Sequence, residues 1–262
     1  MAIIIVIFVT IFGLLIGSFL NVVIARLPAE DKADRSLNGR SRCPKCRATI
    51  AGYDNVPLFS WLVLRGKCRS CKASISPRYP LVELLTAVLW GGVALASDDW
   101  RTVAPGLVFM TLLVPLTFID LDHRILPNKL TYPGTLIGLA LSIALGPQER
   151  FHAHHLWWVE VLVATFAASG FLLIAALIRP GGMGLGDVKL AAMMGAFLGS
   201  GVAVAMMSGF LIALVPSLVL FAMHGAKARK MAIPFGPFLA IGSVIGWFWG
   251  AQLVDAYLRA GR

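Results

Sequence analysis

Apolar runs of near-membrane length recur along this chain, at about 2–25, 81–97, 103–119, 130–146, 157–178, 188–200, 202–223 and 234–254. A helix of roughly 20 apolar residues crosses the hydrocarbon core and satisfies its own backbone hydrogen bonds, which an open sheet cannot do in lipid. With 58% hydrophobic and 14% charged residues, the chain is expected to be all-α, a polytopic membrane bundle of about eight transmembrane helices. The run at 188–200 is short for a span, so a tilted, broken or re-entrant segment is expected there. Three parts follow: a first transmembrane helix at 1–25, a loop domain at 26–80 and a transmembrane bundle at 81–262.

Charge sets an expected orientation. With the N-terminus outside, only Arg101, Arg150, Arg259 and Arg262 of the 23 Lys and Arg residues fall outside. The positive-inside rule then places the 26–80 loop in the cytoplasm. The net charge of +10 is explained by topology, with anionic lipid headgroups as partner and no nucleic acid required. The stretch Ile3 to Ile24 lacks a basic leader and a small-residue cleavage site, so it reads as a retained helix. Gly13 and Gly17 have the spacing that lets two helices approach closely.

All four cysteines lie in that loop, as Cys43-Pro44-Lys45-Cys46 and Cys68-Arg69-Ser70-Cys71. Two CxxC pairs suit a tetrahedral tetrathiolate zinc site, and a reducing compartment disfavours disulfides. Four sulfurs close the coordination sphere, so the ion is expected to be structural, folding a loop with few apolar residues. Free or redox-active thiols are the competing reading. Tyr53, Phe59 and Trp61 are candidates for a substrate platform in the same loop.

Carboxylates beside hydrocarbon are costly and point to function. Asp120 ends the run Leu112 to Ile119, and Asp187 closes Gly184-Leu185-Gly186-Asp187 before the next apolar run. Asp122, two residues after Asp120, points elsewhere on a helix and reads as a solvated interfacial charge. Asp187 alone reads equally well as a helix N-cap. Two inside-facing aspartates at predicted helix ends favour a catalytic dyad sharing one proton, as in aspartic proteases. Glu83 is a buried-charge candidate that could pair with Arg78 or Lys189, and a weak candidate for cofactor binding. His152, His154 and His155 sit beside Trp157 and Trp158, so an interfacial loop is the better reading than a metal cluster. His123 and His224 do not suggest a base for a serine or cysteine nucleophile. An ion-coupled transporter would also use intramembrane carboxylates, and a zinc-stabilised scaffold would need only the cysteines.

The ordered motifs resemble the type IV prepilin peptidases, bifunctional leader peptidase/N-methyltransferases of bacterial inner membranes. They run from Gly17-Ser18-Phe19-Leu20-Asn21 through the double CxxC, Arg78-Tyr79-Pro80-Leu81-Val82-Glu83 and Asp120 with Leu126-Pro127-Asn128. The GxGD ending at Asp187 and Pro234-Phe235-Gly236-Pro237-Phe238 complete the set. The resemblance implies that Asp120 and Asp187 are the catalytic pair, selecting Asp120 over Asp122. It implies prepilin and type II secretion pseudopilin substrates, cleaved on the cytoplasmic side after a basic leader. It also implies N-methylation of the new terminus with S-adenosylmethionine, although no glycine-rich Rossmann motif is present.

Overall fold

The computed structural model describes residues 3–29, 36–37, 39–146, 155–178, 183–225 and 233–260. Every apolar run is helical, and no strand occurs among the described residues. The helices are α1 (Ile3–Arg26), α2 (Phe59–Val63), α3 (Arg78–Ala96), α4 (Trp100–His123), α5 (Asn128–Ala144), α6 (Trp157–Ile178), α7 (Leu185–Leu198), α8 (Val202–His224) and α9 (Gly236–Ala260). Among the described residues six stretches are long and apolar enough to cross a membrane, with Leu185–His224 counted as one. The 17-residue α5 falls short of that length, so the expected count of eight spans is not established.

The chain divides into two compact units, Met1–Asp98 and Asp99–Arg262. The first holds α1, the cysteine loop with α2, and α3, which the sequence division had grouped with the later helices. Gly17 permits the tight α1–α3 seam, because a Cβ there would lie 2.7 Å from the Glu83 Cα. Asn21 Nδ2 donates to the Tyr79 carbonyl at 3.0 Å on the same seam.

The second unit is a bundle of α4 to α9 built around α7. At 14 residues α7 is about 21 Å long, too short for a hydrocarbon core of about 30 Å. It does not need that length, because protein surrounds it. Leu190, Ala191, Met193, Met194, Ala196, Phe197 and Leu198 are all buried, the pattern of a helix apolar on every side. The ring of Phe197 stacks on Phe109 of α4 with centroids 4.7 Å apart, and Phe109 meets Trp247 of α9 at 6.0 Å. These rings tie together the three helices that build the candidate site.

Hydrogen bonds identify the two ends of this bundle. Glu160, in the first turn of α6, accepts from the Ser200 amide at 3.1 Å in the turn between α7 and α8. Trp157 Nε1 donates to Ile143 near the end of α5. The starts of α5, α7 and α9 and the end of α4 therefore share the opposite end. Large apolar side chains such as Phe166, Ile174, Leu211 and Val215 are exposed along α6 and α8, as lipid-facing surfaces require.

The close α6–α7 contact tests this arrangement. A Cβ at Gly195 would lie 2.6 Å from the Thr165 Cα, whereas one at Gly170 meets nothing within 4 Å. Gly195→Val is expected to destabilise the detergent-solubilised protein by about 1–3 kcal/mol through overpacking. Gly170→Ala should hold or raise the thermal midpoint, since it only improves helix propensity.

Candidate active site and metal centre

Asp120 lies in the last turn of α4 and is 5% exposed, and Asp187 lies in the first turn of α7 and is 8% exposed. Asp122, His123 and Arg124 are exposed. The end of α4 is set by Arg124, which takes a left-handed conformation at φ 55 while its amide donates to the Asp120 carbonyl at 2.9 Å. Pro127 then caps α5, where its fixed φ suits the start of a helix.

Three contacts bring the start of α7 onto this turn. Gly186 lies against Leu126, whose Cβ would be 3.0 Å from a Cβ added at Gly186. Lys189 Nζ donates to Asn128 Oδ1 at 2.8 Å and sits 5.2 Å above the Tyr132 ring. The Asp187 carboxylate consequently lies within direct electrostatic reach of Asp120.

Each carboxylate also faces the positive end of a helix. Asp187 is the third residue of α7, with Gly184 as N-cap, and its Oδ2 would lie 3.5 Å from a Cβ added at Gly184, beside the free amides of that first turn. It occupies the N3 position rather than the N-cap. Asp120 Oδ2 accepts the amide of Gly236, the first residue of α9, at 3.0 Å. A Cβ at Gly236 would lie 2.8 Å from that oxygen, so only glycine lets the amide approach so closely. The helix macrodipole and the free amides of a first turn favour an anion at both places. Two buried carboxylates within electrostatic reach of each other are the groups a shared-proton dyad requires.

Glu83 belongs to the first unit and is buried at 8% exposure. Its Oε2 accepts the Leu58 amide at 2.8 Å. Arg78, which the sequence offered as an ion-pair partner within this unit, does not pair with it, and a backbone amide meets the carboxylate instead. His152 and His154 lie outside the described residues, and His155 and His224 are exposed.

The four cysteine sulfurs lie within 4.8 Å of one another, a cluster that could hold a metal ion. Cys43 Sγ and Cys71 Sγ are 3.8 Å apart. Zinc–thiolate bonds of about 2.3 Å in a tetrahedron place sulfurs about 3.8 Å apart, whereas a disulfide would need about 2.05 Å. Each pair forms the same turn. Arg47 donates its amide to the Cys43 carbonyl and Lys72 to that of Cys68, both at positive φ, and Arg42–Thr49 and Lys67–Ser74 form matching bridges. Backbone hydrogen bonds from Cys46 and Lys45 draw the Cys43 thiol down to about 6, while burial and the neighbouring thiols push that of Cys46 up to about 11, so Cys43 is the sulfur that ionises first. The repeat was visible in the sequence, Cys43 to Ile50 matching Cys68 to Ile75 as C-x-x-C, a basic residue, Ala, a hydroxyl residue and Ile. Of the aromatic residues expected as a platform, Tyr53 and Phe59 are exposed, while Trp61 is partly covered and donates to the Ile75 carbonyl at 3.2 Å.

Similarity to known proteins follows the same division. The model of the bacterial peptidase A24 N-terminal domain matches residues 11–97, and that of the type IV leader peptidase family matches residues 107–225. A prepilin leader peptidase/N-methyltransferase of Aeromonas salmonicida is 37% identical over 282 residues, covering 95% of this chain and 92% of that protein. One from Neisseria gonorrhoeae is 40% identical over 262 residues, covering 90% and 86%. One from Myxococcus xanthus is 46% identical over 200 residues, covering 73% of this chain and 56% of that protein. No solved structure matches the chain. The chain belongs to the type IV leader peptidase family. Membership leaves the transporter reading without support. Gly236 lies beyond the matched residues, although it supplies the amide held by Asp120.

Arg69 makes a two-point contact with Asp54, at 2.8 and 2.6 Å, inside the cysteine loop. Hydrogen bonding to Arg69 holds the Asp54 carboxyl below its usual range. A depressed carboxyl adds stability above its unfolded pKa of about 3.9 and loses it as pH falls through the folded value. The thermal midpoint of Arg69→Met should therefore lie below that of wild type at neutral pH. The two should converge only below about pH 4.

Proposed function

We propose that this protein is a membrane-embedded aspartic endopeptidase that cleaves the leader from prepilins and pseudopilins, using Asp120 and Asp187 as its dyad. The observation that carries this reading is two buried, electrostatically linked carboxylates, each seated at the positive end of a helix. In the working state one carboxylate is ionised and the other protonated. The ionised group takes a proton from water as its oxygen attacks the scissile carbonyl carbon, while the protonated group donates to the carbonyl oxygen. Collapse of the tetrahedral intermediate breaks the C–N bond, and the proton passes to the leaving amine. Which aspartate begins as base belongs to the pair as a whole.

We assign the site to the cytoplasmic face of a bacterial inner membrane, with the N-terminus outside. The end of the bundle that holds both carboxylates also holds Arg124, Lys129 and Lys189, while the far end holds Arg101, which supports that orientation. A basic leader would remain beside this face while the apolar helix of the substrate lies against the exposed bundle surface. The family relatives support a second activity, N-methylation of the new terminus, with S-adenosylmethionine supplying the methyl group. The sulfur spacing supports zinc as a structural ion held by Cys43, Cys46, Cys68 and Cys71.

Cleavage of a purified prepilin in liposomes, read by mass spectrometry, tests the dyad. Asp120→Asn and Asp187→Asn should each lower kcat/KM by about 10⁴-fold, while Asp122→Asn should retain most activity. Comparable loss in all three variants would remove the assignment. For the metal, one equivalent of zinc per chain is expected by elemental analysis. Cys43→Ser or Cys68→Ser should lower it and make the segment 39–76 more sensitive to limited proteolysis, because zinc binding is part of the folding energy of such knuckles.

A further inference from the structure

A cavity of about 600 Å³ opens within the first unit, between α1, the cysteine loop and α3. Its size falls within the roughly 300–1,000 Å³ of small-molecule sites. The peptidase chemistry proposed above uses none of its residues. One wall carries Glu83, buried and hydrogen-bonded by the Leu58 amide, with Ser18 lining the same cavity. Among the described residues no Lys or Arg pairs with it. A buried carboxylate with hydrogen bonds but no counter-charge favours a cationic guest.

The other walls narrow the choice. Arg42 and Lys45 line the same cavity and suit a carboxylate group on the guest. Tyr53 and Trp61 offer flat apolar faces for a planar ring. The Arg69 guanidinium lies 5.5 Å from the Tyr53 ring centre while paired to Asp54, which holds that ring in place. A guest with a flat heterocycle, a carboxylate and positive charge close to a reactive carbon matches this set.

We infer that this cavity binds S-adenosylmethionine, with the Glu83 carboxylate facing its cationic methionine end and Tyr53 and Trp61 facing the adenine. This rests on the methyltransferase reading given above. The neutral amine of the cleaved product attacks the methyl carbon, forming the N–C bond as the S–C bond breaks. The bonding pair stays on sulfur, leaving S-adenosylhomocysteine, and the methylated ammonium releases its proton to solvent. Transfer removes the sulfonium charge, so Glu83 favours donor over product.

The test is calorimetric titration of the full chain in detergent with S-adenosylmethionine and S-adenosylhomocysteine. Wild type should bind the methylated donor more tightly than the demethylated product. Glu83→Gln keeps an oxygen for the Leu58 amide but removes the charge. It should weaken donor binding about tenfold and erase the donor–product preference, with the thermal midpoint and metal content unchanged. Donor affinity within twofold of wild type in Glu83→Gln, with wild type still methylating, would overturn the placement alone. A loss seen only in prepilin KM would assign the cavity to peptide and overturn it too. Wild type that neither binds the donor nor methylates its product would overturn the methyltransferase reading and this site together. Should Glu83→Gln misfold, ultraviolet cross-linking of methyl-labelled donor to wild type decides. Adducts are expected within 41–83, and adducts confined to 99–260 would overturn the proposal.

Discussion

Two carboxylates buried at the same end of an apolar bundle, within electrostatic reach of each other, are the constraint the second unit has to satisfy. Burial alone makes each of them costly, and their proximity raises the cost further. The fold offsets this with backbone rather than with a salt bridge. The first turn of α7 receives Asp187, and the first amide of α9 reaches Asp120. An Arg or Lys in their place would hold both groups ionised, which would end any sharing of a proton. Helix ends supply partial positive charge without fixing the protonation state.

The remaining architecture follows from holding three helix ends together. The short central α7 is buried all round, so its position is determined by protein contacts instead of by lipid thickness. The Phe197–Phe109–Trp247 cluster locks α7 to α4 and α9 in the middle of the bundle. Gly186 on Leu126 and Lys189 on Asn128 complete the lock at the site itself. The cysteine loop solves a different problem. It carries few apolar residues, and two copies of one knuckle draw four thiols to a single point.

Much of this was legible from residue patterns. The apolar runs located each long helix because period and length are local properties of the chain. The two CxxC pairs foretold a cluster of sulfurs because thiolate spacing is likewise local. Asp120 stood apart from Asp122 by its place at the end of an apolar run, and it is the buried one of the two. What sequence could not show was long-range. That Gly236 serves Asp120 across 116 residues depends on how α9 returns to the site; the motif Pro234 to Phe238 marks the segment, but nothing in it names Asp120 as the partner. Glu83 read equally well as a functional carboxylate and as half of an ion pair, and the partner it has is a backbone amide at Leu58. Neutral partners of that kind leave no trace in charge patterning.

The pH dependence of kcat/KM for prepilin cleavage by the wild-type protein tests the central claim most directly. A dyad that works with one carboxyl ionised and its neighbour protonated predicts a bell, with activity falling on the acid side as the base is protonated and on the alkaline side as the acid is lost. A profile that rises once with pH and then stays flat would mean that a single ionised carboxylate suffices, and would contradict the shared-proton account.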